Sequence, residues 1–164
     1  MFLNKIKVFL IISICLIFFF LTYNDVKSEE IKIISGVAKV TDGDTIKINK
    51  KRIRLMGIDA PEIKQMCKKH WLSISFISFK KDYPCGQISA TRLKKKINNK
   101  FVICKYTSKD KYKRFIAECF IDKTNINSWM VRSGHAVAYR KYSKKYVKKE
   151  NIAKKDRSGL WSGT

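Results

Sequence analysis

The stretch IKIISGVAKVTDGDTIKINKKRIRLMGIDAPE, residues 31–62, decides how the rest of the chain is read. Ile31 to Val40 is rich in β-branched residues, Asp42-Gly43 interrupts it, and Thr45 to Ile48 alternates apolar with polar side chains. An Asp-Gly pair between two such runs is a strong hairpin signal, because both residues accept the positive φ that tight turns of a twisted ribbon need. Arg52 to Ile58 follows as a third strand, ended by Pro61, which cannot donate to a ladder.

Downstream, Gln87 to Ile97 carries Ile88, Leu93 and Ile97 near helical spacing, with lysines on the other face. Phe101 to Tyr106 and Phe115 to Ile121 read as two more strands. Asn125 to Arg132 reads as a second helix stopped by Gly134, and Ser143 to Arg157 as a third, capped by Ser143 and stopped by Gly159. Five strands with a helix between the third and fourth is the order of an OB-type barrel. The expected fold is therefore α+β: a five-stranded OB-fold β-barrel with three α-helices.

Upstream, Lys5 and Lys7 precede an unbroken apolar run from Val8 to Leu21, followed by the polar stretch Thr22 to Glu30. A basic start and an apolar run short of the roughly 20 residues of a membrane span match a secretory signal. Val26 and Ser28 suit the two small positions before a cleavage point, so residues 1–28 are read as a signal peptide and 29–164 as the domain. An uncleaved N-terminal membrane anchor is the alternative. Cys15 has no small residue before it, which argues against a lipoprotein anchor.

The 164 residues include 36 Lys plus Arg against 13 Asp plus Glu, a net charge of +23 at 45% hydrophobic content. That apolar content excludes a disordered polyelectrolyte, and the length excludes a dinucleotide-binding unit joined to a second domain. Removing residues 1–28 takes away three Lys and one Asp and leaves about +21, so the excess belongs to the domain. It points to an anionic partner: nucleic acid, acidic lipid or another polyanion. The dominance of Lys over Arg is consistent with codon bias toward A and T, but such bias does not explain the shortage of acids.

Four cysteines follow residue 28: Cys67, Cys85, Cys104 and Cys119. In an exported chain an even number reads as two disulfides, with three pairings open. Cys104 with Cys119 is favoured because the two flank the polar segment Thr107 to Lys113, and Cys67 with Cys85 would close an irregular loop. Zinc is the competing reading, but there is no CxxC, and His70 and His135 stand at no familiar ligand spacing.

The scarce acids gather where the chain was first read. Asp42, Asp44, Asp59 and Glu62 stand with Arg54 in one short stretch of a basic protein. Clustered carboxylates repel unless a cation joins them, and an all-oxygen set favours Ca²⁺ or Mg²⁺. The plainer readings are turn chemistry for Asp42 and surface acids at strand ends for the others. A strict pleat puts Arg54 and Asp59 on opposite faces, so a shared site requires the strand to bend or end near Gly57.

VTDGDTIKI (40–48), RIRLMGIDAPE (52–62), DKYKR (110–114), NSWMVRSGHAVAY (127–139) and GLW (159–161) together resemble the thermonuclease, or staphylococcal nuclease-like, family, in the same order and over roughly residues 36–161. The resemblance implies an OB-fold nuclease that hydrolyses DNA and RNA with Ca²⁺, with little sequence specificity and with 3′-phosphate products. The N-terminal segment and the cysteine count point to a secreted or periplasmic protein; no protein partner is implied, and a monomer is expected. By the same resemblance Asp44 and Asp59 are calcium carboxylates and Ala60 adds a backbone carbonyl. Arg54, Glu62 and Arg114 fall at catalytic positions, Lys111 and Tyr112 at a terminal phosphate, and Tyr139 at the nucleotide. The alternative is a non-catalytic nucleic-acid-binding OB module, whose relatives lose these acids and arginines.

Three departures stand out. Lys113 fills a place where the family has Gly, and at positive φ it costs about 1 kcal/mol. His135 replaces a hydrophobic residue and reads as packing. WLSISFISF, residues 71–79, is an apolar stretch open to three readings: an added strand, a lid or a membrane contact; local packing pinned by Cys67 to Cys85 is favoured. The lysines from Lys141 to Lys155 read as the solvated face of the last helix, able also to steer nucleic acid.

Overall fold

A computed structural model describes residues 12–15, 30–74 and 77–163. The chain divides into two units, residues 1–30 and 31–164. In the first, residues 12–15 are helical, and most of the predicted signal segment lies outside the described residues. Among the described residues no helix is long and apolar enough to cross a membrane.

The second unit is built on an antiparallel meander. Strands β1 (Lys32–Val40), β2 (Thr45–Ile48) and β3 (Lys51–Leu55) pair in turn, with Val40 opposite Ile46 and Thr45 opposite Arg54. A two-residue strand β4 (Ile58–Asp59) follows, then a hairpin of β5 (Cys67–Ile74) and β6 (Ile77–Tyr83), then helix α1 (Cys85–Ile97). Strand β7 (Phe101–Lys109) returns to the free edge of β1, and β8 (Phe115–Ile121) pairs with β7. β8 then meets β3 in parallel, Leu55 opposite Ala117, and this closes a five-stranded barrel in the order β3-β2-β1-β7-β8. Closure removes the unpaired edges that an open sheet would expose.

Alternation along these strands fills the barrel. Ile46, Ile48, Ile53, Leu55, Val102, Cys104, Ala117 and Cys119 are all fully buried, while their neighbours Lys47, Arg52, Ile103 and Lys105 face outward. Leu93 and Ile97 of α1 close one end. Helix α2 (Ile126–Arg132) adds Ile126, Met130 and Val131, and α3 (Val147–Lys155) adds Ala153. A short β9 (Thr124–Asn125) leads into α2, β10 (Val137–Ala138) pairs with β4, and Gly159–Trp161 forms a 3-10 turn. Both disulfides form, Cys104–Cys119 directly across β7 and β8, and Cys67–Cys85 between the hairpin root and α1.

Element bounds differ from expectation: α1 starts at Cys85 instead of Gln87, and β7 runs to Lys109 instead of Tyr106. The third strand stops at Leu55 instead of running to Ile58, because Gly57 turns the chain at φ +73°. The last helix starts at Val147 instead of Ser143, and ends at Lys155. The Ser143 hydroxyl takes the N–H of Lys145 in a local turn instead of capping the helix, which is how such side chains compete with helical bonding. Of the 71–79 stretch, residues 71–74 lie in β5 and 77–79 in β6, so its described residues form an added strand pair.

Candidate active site

The barrel mouth brings together residues far apart in the chain. Asp44 ends the β1–β2 turn, where its N–H donates to Asp42 Oδ1 at 3.0 Å. Its own carboxylate is buried, accepts the Thr45 hydroxyl at 3.0 Å and the Ala60 N–H at 3.1 Å, and pairs with Arg54 Nη1. Arg54 rises from β3 and places its other nitrogen, Nη2, 2.6 Å from Asp59 Oδ1. One guanidinium thus bridges the two carboxylates, with Asp44 3% exposed and Asp59 49% exposed.

Burial strips water from the Asp44 carboxyl and pushes it up to about 7; Arg54 pulls it back and Asp42 raises it further. Burial also opposes the charge on Arg54, yet Asp44 and Asp59 hold the guanidinium above its ordinary value. The side-chain donors here are all carboxylate oxygens, a hard-cation set, and the Ala60 carbonyl belongs to the same chemistry. Among the described residues no group of three or more His, Cys, Asp or Glu could hold a metal ion by side chains alone. Asp44 and Asp59 supply two such carboxylates, and both are ion-paired to Arg54.

Arg114 enters from the start of β8. Asp110 takes its Nε at 2.7 Å and its N–H at 2.9 Å, and Arg114 Nη1 reaches the Thr45 hydroxyl at 3.5 Å. Partial burial works against the charge on Asp110, but the Arg114 N–H and guanidinium more than offset it and hold the carboxyl below its usual range. Tyr112 lies exposed beside this pair, with Arg114 Cζ 5.4 Å and Lys111 Nζ 5.0 Å from its ring centre. Lys113 sits at φ +62°, the left-handed conformation that Gly would adopt without cost.

Glu62 is exposed beyond Pro61, and its backbone is held on both sides: its N–H donates to Gln65 Oε1 at 3.1 Å, and its carbonyl accepts Gln65 N–H at 2.7 Å. Gly86 packs so closely that an added Cβ would lie 1.7 Å from the Glu62 carbonyl oxygen. Tyr139 donates its N–H to the Gly57 carbonyl at 3.0 Å and stacks edge-on against Tyr142. The structure thus joins Asp44, Arg54, Asp59, Ala60 and Arg114 in one hydrogen-bonded group. It keeps Lys111 with Tyr112 on the turn before β8, and Tyr139 follows β10, bonded to the Gly57 carbonyl.

Three positioning residues escaped the sequence reading. Thr45 links Asp44 to Arg114, and Asp110 aims Arg114. Buried Asn127 donates to the Met56 and Ala117 carbonyls at 2.9 and 3.1 Å and accepts the Cys119 N–H, tying the end of β3 to β8. Asp110 carried a readable signal, an Asp two and four residues before the N–H groups it accepts. Asn127 carried none, since its partners lie on other elements.

His135 is half-buried beside Trp129, and burial lowers it to about 4, with Arg92 adding to the fall. It is a packing residue.

The described fold agrees with comparison to known proteins. Residues 52–163 match the family described as staphylococcal nuclease homologue. The chain belongs to that family. Family membership makes it a hydrolase of the nuclease class. Among its relatives is the succinoglycan biosynthesis protein ExoI of Rhizobium meliloti, 34% identical over 131 residues, which cover 78% of this chain and 64% of that protein. An uncharacterized endonuclease of Escherichia coli O157:H7 is 35% identical over 133 residues, covering 77% of this chain and 75% of the other. A probable staphylococcal-like nuclease, CAN2, of Oryza sativa subsp. japonica is 29% identical over 121 residues, covering 73% of this chain but 28% of the rice protein.

Proposed function

We propose that this protein is an exported, Ca²⁺-dependent phosphodiesterase that cleaves DNA and RNA with little sequence specificity and leaves 3′-phosphate ends. The observation that carries the reading is the Arg54 guanidinium bridging Asp44 and Asp59 beside Arg114 at the barrel mouth.

Hydrolysis of a phosphodiester gathers negative charge on the phosphoryl oxygens as the five-coordinate transition state forms. Groups that meet that charge more strongly there than in the ground state supply the rate. Arg54 and Arg114 suit this role, being always protonated and able to donate two parallel hydrogen bonds. Each is aimed in advance, Arg54 by two carboxylates and Arg114 by Asp110. Glu62, exposed at the mouth, orients or deprotonates the attacking water. Asp44, Asp59 and the Ala60 carbonyl would hold Ca²⁺, which would supply Lewis-acid polarisation of a phosphoryl oxygen. Lys111 and Tyr112 receive a terminal phosphate, Tyr139 the nucleotide, and the 5′-hydroxyl leaves. Export is supported by the apolar segment Val8 to Leu21, read as a signal peptide or anchor, and by the two disulfides.

Digestion of plasmid DNA and of RNA by the disulfide-bonded protein, in Ca²⁺ and in EGTA, tests the reading. Cleavage of both in Ca²⁺ and of neither in EGTA is expected. Cleavage of neither in Ca²⁺, with binding retained, supports instead the non-catalytic OB module. Glu62→Gln should lower kcat by about 10²–10⁴ with little change in binding.

A further inference from the structure

The β5–β6 hairpin is not absorbed by this mechanism, and its charges are placed at a cost. Lys69 lies directly opposite Lys81, and like charges facing across a ribbon destabilise it, whereas the neighbouring pair, Lys68 with Asp82, is of opposite sign. Lys69, Lys80 and Lys81 are all exposed. On the face that carries Lys69 and Lys81, Tyr83 sits opposite Cys67 with Lys69 Nζ 5.6 Å from its ring centre. At the hairpin root lies a cavity of about 280 Å³ whose lining includes Asp59, Pro61, Gln65, Cys67, Lys68 and Tyr83. Asp59, one of the two carboxylates bridged by Arg54, therefore borders the same space as the hairpin aromatic. The root is also fixed to the site: Cys67 is bonded to Cys85 at the start of α1, and the next residue, Gly86, abuts the Glu62 carbonyl.

We propose that this hairpin is a clamp for a single-stranded stretch of polynucleotide. Lys69 and Lys81 hold the phosphates, and the cavity at the root takes one nucleotide next to the scissile bond, its base against Tyr83. The reading rests on the nuclease assignment and adds a binding surface distinct from Lys111, Tyr112 and Tyr139. The chemistry suits the ligand. A polyanion relieves the repulsion built into the ribbon, and stacking on an aromatic ring flanked by cations is how strands are held without sequence preference. The cavity is near the lower bound for small-ligand pockets, a size for one nucleotide unit and not for a duplex.

The test compares the full chain with its Lys69→Ala/Lys81→Ala variant on long single-stranded DNA and on the nitrophenyl ester of thymidine 5′-phosphate, in Ca²⁺. On the long strand the variant should show KM raised roughly tenfold, kcat within about twofold, and a salt dependence of log KM shallower by about 1.4, near 0.7 for each lost phosphate contact. On the small ester it should match the parent. Its melting temperature should equal or exceed the parent's, because a repulsion has been removed. Tyr83→Phe should behave as the parent and Tyr83→Ala as the lysine variant. Unchanged KM and salt slope on the long strand overturn the clamp, and so does equal damage on both substrates with a lower melting temperature, which marks a structural role. If the parent cuts neither substrate, the nuclease reading itself has failed.

Discussion

Arg54 Nη2 lies 2.6 Å from Asp59 Oδ1, although a continuous strand would hold these residues on opposite faces. The contact exists because β3 ends at Leu55 and Gly57, at φ +73°, turns the chain before β4 begins. An added Cβ at Gly57 would also lie 3.2 Å from both the Ser143 Cβ and the edge of the Tyr146 ring. Gly57→Ala should therefore destabilise by about 1–2 kcal/mol from the left-handed backbone alone and lower kcat as Asp59 shifts away from Arg54. Thermal melting and steady-state kinetics check this, and an unchanged melting temperature would contradict it.

Lys113 gives the reverse case. It occupies φ +62° inside the Asp110–Arg114 turn, whose backbone bonds of 2.9 Å fix the shape whatever residue stands there. Lys113→Gly should stabilise the protein by about 1 kcal/mol or slightly less and leave Arg114 aimed as before. Urea titration and kcat measure the two effects; a clear loss of stability would show that the Lys113 side chain contributes something the turn does not.

His135 predicts a pH dependence. Burial lowers it to about 4 from an ordinary 6.5, with Arg92 adding to the fall. Between those values the unfolded chain binds a proton that the folded chain refuses, so stability rises with pH across this window and is lost as pH falls from 6.5 toward 4. Above 6.5 the histidine is neutral in both states and has no effect. His135→Leu should flatten this part of the stability curve, measured by melting temperature from pH 4 to 8. An unaltered slope would assign the acid sensitivity to other groups.

The disulfides should separate by role. Cys104 and Cys119 are fully buried and lie opposite each other in the barrel wall, 15 residues apart in sequence. Replacing both with Ala should cost about 3 kcal/mol from loop closure, before any loss of packing. Replacing Cys67 and Cys85, 18 residues apart and tying the hairpin root to α1, should cost a similar amount from loop closure but affect polynucleotide cleavage more. Melting curves and KM on long DNA would distinguish them; equal losses in both would remove the separation.

Much of this was legible in the chain, for physical reasons that can be named. Residues 31–62 showed a period of two, an Asp-Gly turn and a terminating Pro, signals that are local and therefore present before folding. The family strings placed the acids and arginines together. Ser143 misled because a hydroxyl before a run of lysines resembles a cap, yet it accepts the Lys145 N–H in a turn whose Ser143 N–H bonds to the Tyr139 carbonyl.

By itself the sequence determined the order of elements, the oxygen-rich cluster in a basic domain, and the residues that carry charge to the site. Tertiary structure alone decided that Arg54 spans both carboxylates, that Thr45 joins Asp44 to Arg114, that Asn127 fastens β3 to β8, and that the hairpin opens a cavity against Asp59. The division has one cause. Propensity and pattern act between neighbours in the chain, whereas a hydrogen bond across 69 residues, as from Arg114 to Thr45, has an energy only once the barrel has closed.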